Sequence, residues 1–250
     1  IVTRNPLAAP GLLGINAGAA LAVVALASLT AGPSAAATAF AACIGAFCAG
    51  ALSHAIAGRA ATLRLVLAGA VVTLLAGSLT ALVLILDMQA MANSRLWLAG
   101  SLADRPPALV HALLPPIAGM AGLAVLCAPL LTILMLDEAT ATGLGARVVM
   151  ARLAALVLAS LLAALAVALA GPISMVGLIA PHLARALVGP RPDRLLPLAA
   201  LGGALVLLCA DILARLLLAP AELPAGVLTA AAGAPLFLLI LRGHGRERAA

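Results

Sequence analysis

From Gly11 to Leu241 the chain is a row of apolar runs, most of them about twenty residues long, and charged residues stand almost only between them. About twenty apolar residues in an α-helix match the hydrocarbon thickness of a bilayer. Inside that layer every backbone N–H and C=O must be satisfied within the protein, so only helices or closed barrels cross it. The runs are continuously apolar rather than alternating, which favours helices. Of 250 residues, 65% are hydrophobic and 9% are charged, against about 25% charged in a soluble domain. A soluble core of this size cannot hide so much apolar surface. The expected fold class is therefore all-α, a polytopic membrane helix bundle of about eight crossings in a single domain spanning residues 1–250.

The runs cover residues 11–31, 36–57, 65–86, 108–136, 148–170, 173–188, 195–218 and 226–241. The fourth contains Pro115-Pro116 and Pro129, where kinks are expected. The sixth is short and interrupted by Gly171-Pro172 before it and Pro181-His182 within it, so it reads as a broken helix. The stretch 87–107 holds Asp87, Gln89, Asn93, Arg95, Asp104 and Arg105. It is partly helical in pattern but too polar to span. A second polar connector covers 137–147.

All 14 basic residues are arginines. If the first run leads outward from the cytoplasm, eleven of them fall on the cytoplasmic side and only Arg95, Arg105 and Arg215 on the other. That asymmetry is the positive-inside pattern, and it places the C-terminus in the cytoplasm. The arginines form no stripe interleaved with aromatics, which argues against nucleic acid despite the net charge of +6. Cys43, Cys48, Cys127 and Cys209 have no paired spacing and read as small packing residues. With no lysine there is no P-loop. HExxH and GxSxG are also absent, so neither a zinc protease nor a serine hydrolase is indicated.

Several stretches together resemble the FecCD-type permease family of type II ABC importers. They are Arg4-Asn5-Pro6-Leu7-Ala8-Ala9-Pro10-Gly11, Trp97-Leu98-Ala99-Gly100-Ser101-Leu102, and Gly171-Pro172-Ile173-Ser174-Met175 running to Pro181-His182. Ala210-Asp211-Ile212-Leu213-Ala214-Arg215 and Pro220-Ala221-Glu222-Leu223-Pro224-Ala225-Gly226 complete the set. The resemblance implies ten helices, of which this chain matches the third to tenth, with the first two missing. It implies a permease subunit for ferric siderophore, haem or cobalamin in a bacterial inner membrane. Its partners would be a second permease copy or homologue (a homodimer in the first case), two ABC ATPase subunits, an extracytoplasmic substrate-binding protein and the surrounding lipid. No cofactor is implied for this chain; ATP and magnesium would belong to the partner ATPase.

The resemblance also suggests roles. Segment 137–147 is similar to the ATPase-coupling element, two short cytoplasmic helices, with Asp137, Glu138, Ala141, Leu144 and Gly145 as its candidates. Asp137 stands where the family often has Gly, and Thr142 where it often has Arg. Asn5 and Leu7 match a cytoplasmic gate; the plainer reading is a helix entry stiffened by Pro6. Arg215 matches a docking arginine for the binding protein, while its i,i+4 spacing from Asp211 equally suits a self-contained pair. Gly171, Pro172, Pro181 and His182 mark the broken-helix segment on a transport path, although a lone His in apolar surroundings also serves packing. Trp97, the single Trp, fits an outer interfacial anchor. The rival readings are an ion-gradient-driven secondary transporter, which would need buried carboxylates, and a truncated remnant without function.

Overall fold

A computed structural model describes residues 10–30, 32–58, 62–103, 105–136, 138–143, 145–217 and 223–235. Each apolar run becomes one helical span or a pair of helices. A 3-10 turn, Pro10–Leu13, leads into α1 (Ile15–Leu29), then α2 (Ala35–Ala57), α3 (Thr62–Leu86), α4 (Met88–Leu98) and α5 (Pro107–Leu126). There follow α6 (Ala128–Met135), α7 (Glu138–Gly143), α8 (Val148–Ala170), α9 (Val176–Val188) and α10 (Pro192–Leu217), and finally α11 (Ala225–Pro235). No strand occurs among the described residues. Five of these helices, α2, α3, α5, α8 and α10, are long and apolar enough to cross a membrane. The other apolar helices, α1, α9 and α11, are shorter. Among the described residues, eight apolar helices or helix pairs follow the apolar runs, and five of the helices are long enough to span.

Local chemistry explains the boundaries. α1 starts late because Gly14 takes the left-handed conformation (φ 76°) after the 3-10 turn, a geometry glycine adopts without a Cβ penalty. Ser34 caps α2 by accepting from the Ala37 amide at 3.2 Å. Asp87 caps α4 by accepting from the Gln89 and Ala90 amides at 2.9 and 3.0 Å, the usual service of a side-chain oxygen to unpaired first-turn N–H groups. The fourth run breaks elsewhere than at its double proline. α5 continues through Pro115 and Pro116, and the interruption falls at Cys127, directly before the helix in which Pro129 occupies the first turn. A proline there needs no N–H partner, so it begins a helix readily.

α1 is the hub, packed against α2, α3, α4 and α8. Its crossing with α2 is very close. A Cβ on Gly18 would collide with the Gly45 carbonyl, and a Cβ on Gly45 would collide with that of Gly18. Small residues at both helices permit this approach, which is how membrane helices gain dispersion energy without a hydrophobic drive. The core follows the same logic. Its buried side chains are dominated by alanines such as Ala19, Ala42, Ala46, Ala164 and Ala168, while Leu74, Ile85, Leu187 and Leu216 stand exposed. Ser53 is fully buried and donates to the Leu13 carbonyl at 2.8 Å, so its hydroxyl is satisfied in an apolar setting. α9 packs chiefly on α10, and a smaller cluster joins α6, α7 and the first turn of α8.

Trp97 corrects an expectation. It is 7% exposed and belongs to the core cluster with Ile15, Ala42, Leu156 and Val167. A buried indole packed among helices cannot act as an anchor in lipid headgroups. Its ring N–H is buried with no protein acceptor among the described residues.

Candidate functional site

Two regions hold the residues singled out from sequence, and α8 joins them. At 23 residues and about 1.5 Å per residue, α8 is about 34 Å long. Its N-terminal end meets α7; its C-terminal end reaches a junction of three irregular segments.

That junction is made by backbone. The Ser101 amide donates to the Ala170 carbonyl at 3.0 Å, and the Gly226 amide donates to the Gly100 carbonyl at 2.9 Å. The corner after α4, the end of α8 and the start of α11 are thereby stitched together. Glycine is required at the contact points. Gly100 and Gly171 have φ of 70° and 78°. A Cβ on Gly171 would lie 2.5 Å from the Trp97 carbonyl oxygen, one on Gly100 would lie 2.9 Å from that of Pro172, and one on Gly226 would collide with that of Ala99. Pro172 follows in the connector that leads down to α9.

The connector ends at Met175, the only non-glycine residue with positive φ (69°) among those described. With ψ at −35° it lies outside the allowed left-handed helical region, and such a sparsely populated conformation costs about 1–3 kcal/mol. Met175 sits at the N-cap of α9, and its Cβ comes within 2.7 Å of where a Cβ on Gly233 would stand. Gly233 therefore gives the strained residue its room. Pro181 lies inside α9, and His182 beside it is half-buried and engaged by its surroundings. The structure thus brings Gly171 and Pro172 into the junction and leaves Pro181 and His182 in the helix below it.

At the other end, α7 is one short helix, Glu138–Gly143, closed by a hydrogen-bonded stop. The Gly145 amide donates to the Thr142 carbonyl at 2.9 Å and the Ala146 amide to the Ala141 carbonyl at 3.1 Å. Gly145 has φ 79°. This pair of bonds around a left-handed residue is the Schellman arrangement, and it explains why a glycine stands there. Ala141 is 1% exposed and packs with Leu134, Val148 and Ala151. Asp137 and Leu144 lie outside the described residues, as do Asn5 and Leu7, and Glu138 is placed only by its backbone.

Arg215, in the last turn of α10, pairs through Nε with Asp211 Oδ2 at 2.9 Å. The arginine side chain is half exposed and the aspartate largely covered. At the junction end, Arg105 donates from Nε and Nη2 to the Ser101 carbonyl at 3.0 and 2.9 Å. Burial pushes its pKa below the usual guanidinium value, and the two donated bonds fix the head group. Sequence reasoning passed over Gly100, Gly226 and Met175; the glycines were visible in the quoted motifs, but nothing local marked their mutual contact.

Comparison with known proteins fits this architecture. The profile of the FecCD transport family matches residues 1–243. The chain is 38% identical over 240 residues to the Fe(3+) dicitrate transport system permease protein FecD of Escherichia coli, covering 96% of this chain and 76% of that protein. It is 40% identical over 247 residues to the hemin transport system permease protein HmuU of Yersinia pestis, covering 96% and 74%. A solved metal-chelate type ABC transporter in an inward-facing conformation superposes with a TM-score of 0.90 at 31% identity, covering 97% of this chain and 78% of that one.

Proposed function

The chain belongs to the FecCD transport family, and from that premise we propose that it is the permease subunit of an ATP-driven importer, forming the path for an iron–siderophore or a related chelate such as haem. The observation that carries this is the agreement of fold and sequence over nearly the whole chain with a metal-chelate transporter and with permeases of ferric and haem uptake. It is a multi-pass membrane protein, and nothing favours the gradient-driven alternative.

The finer assignments follow as our reading. Two permease copies enclose a path. An ATPase subunit docks on segment 137–147, where the capped α7 offers a compact surface. α8 carries the push from there to the glycine junction about 34 Å away. ATP and magnesium are held by the ATPase, and this chain needs no cofactor of its own. Arg215 and its neighbours face the binding protein on the far side, Asn5 and Leu7 serve as a gate at the inner mouth, and the C-terminus is cytoplasmic. Alternating access then requires that ATP and the loaded binding protein favour different states.

The test is reconstitution of the permease with its co-purifying ATPase and the binding protein in proteoliposomes. Radiolabelled ferric chelate should accumulate on adding MgATP and not on imposing a proton or sodium gradient. Uptake driven by a gradient without ATP would reverse the assignment.

A further inference from the structure

A groove outside the regions described above runs along α6. It is lined by Pro129, Thr132, Ile133, Leu136 and Asp193 and has a volume of about 530 Å³. Pro129, Thr132 and Ile133 are spaced i, i+3, i+4 and share one face of α6, and Leu136, the extended residue that ends the helix, continues the apolar wall beyond it. The hydroxyl of Thr132 is committed to the Ala128 carbonyl at 3.1 Å. The single charged lining residue is Asp193, in the first turn of α10. Arg191 and Arg194 flank it and are exposed. Along α10, Pro197, Leu201, Ala204 and Leu208 continue the Asp193 face, and all are exposed. The groove therefore opens onto an apolar flank that can only face hydrocarbon or another apolar surface.

We propose that this groove holds one phospholipid with a primary-ammonium headgroup, its acyl chain along α6, its ammonium on Asp193 and its phosphate on Arg191 and Arg194. A carboxylate on the groove with exposed arginines close by in sequence, at 191 and 194, complements a zwitterion. An ammonium donates up to three N–H bonds to a carboxylate, and guanidiniums are suited to phosphate oxygens. A quaternary choline ammonium has no N–H to give, and a glycerol headgroup has no cation for Asp193. The acid also favours the N-terminal turn of α10 through the helix dipole, but that service needs no groove. A basic side chain from a soluble partner would account for Asp193, yet it would leave the apolar wall unfilled. The site depends only on the chain lying in a membrane, so it stands or falls separately from the transport assignment.

The experiment is native mass spectrometry of the purified chain, alone and with its co-purifying ATPase, after exchange into phosphatidylethanolamine or phosphatidylcholine of identical chains. The wild type should retain ethanolamine lipid with roughly two- to fivefold preference, the scale of one partly exposed charge pair. Asp193→Asn should abolish the preference while keeping total lipid retention, and Ile133→Trp, which fills the groove, should lower retention of both lipids. An unchanged unfolding temperature in Asp193→Asn separates lost binding from lost folding. Equal retention of both lipids by the wild type, or a preference that survives Asp193→Asn, would overturn the proposal. So would loss of the preference when the ATPase is bound and its return when the ATPase is removed, which would make the groove an ATPase contact.

Discussion

The carbonyl oxygen of Trp97 occupies the space a side chain on Gly171 would need: a Cβ there would lie 2.5 Å from it. Gly171 also has φ 78°, so Gly171→Ala meets two penalties at once. With ψ at −177° this is a conformation almost confined to glycine, and a side chain there costs about 1–3 kcal/mol; displacing a main-chain carbonyl adds overpacking of similar size. Thermal unfolding in detergent should show a fall of several degrees. Gly119 and Gly122 are helical with open space around them, and alanine at either should leave the unfolding temperature unchanged or raise it. Equal effects at Gly171 and Gly119 would contradict the junction described here.

Gly145→Val should disturb coupling more than folding. A β-branched residue at φ 79° strains the stop of α7 by about 1–2 kcal/mol, and α7 is peripheral to the main core. The expected outcome is a complex that assembles and hydrolyses ATP but moves less chelate per ATP. Wild-type transport stoichiometry in this variant would remove Gly145 from the coupling surface.

Arg215→Ala and Asp211→Asn distinguish docking from a local pair. An i,i+4 ion pair of this exposure contributes only about 0.3–0.5 kcal/mol, so both variants should unfold within a degree or two of the wild type. If Arg215 meets an acidic group on the binding protein, Arg215→Ala and Arg215→Glu should weaken binding-protein affinity measured by surface plasmon resonance, the second more than the first. Asp211→Asn should leave it intact. Matching affinities for all three would mean that the pair serves α10 alone.

Trp97→Phe should be mild. The indole N–H has no protein acceptor among the described residues, so its removal forfeits no such bond, and the retained ring fills most of the volume. A destabilisation below about 1.5 kcal/mol is expected for a swap that roughly conserves volume. A larger loss would reveal a bound water or other acceptor at that nitrogen.

The spans were legible because apolar length is a one-dimensional property. Residues 148–170 and the end of the third run at Leu86 fell where the composition changed. Boundaries shifted where polar residues belong to a helix: α10 begins at Pro192, ahead of the apolar run at Leu195, because proline and Asp193 suit a first turn. The junction was not legible. Gly100, Gly171 and Gly226 are far apart in the chain, and a glycine beside a proline announces a bend without naming what presses against it. Trp97 was misjudged for a related reason. Its position in the chain suggested an outer depth, but depth says nothing about whether a residue faces lipid or a neighbouring helix. In the segment 137–147, the resemblance singled out Gly145 for coupling, and its place as the positive-φ stop of α7 came only with the structure.

An interior assembled from alanine and glycine has little left to lose by truncation. At Ala42, Ala46 or Ala164 almost every substitution that a single base change can introduce is an enlargement, so damage arrives as crowding rather than as voids. The leucines on the perimeter, by contrast, should be exchangeable for isoleucine, valine or methionine with little consequence. Sequence drift in this protein is therefore expected to concentrate on its largest side chains and to spare its smallest, the reverse of the pattern in a water-soluble domain.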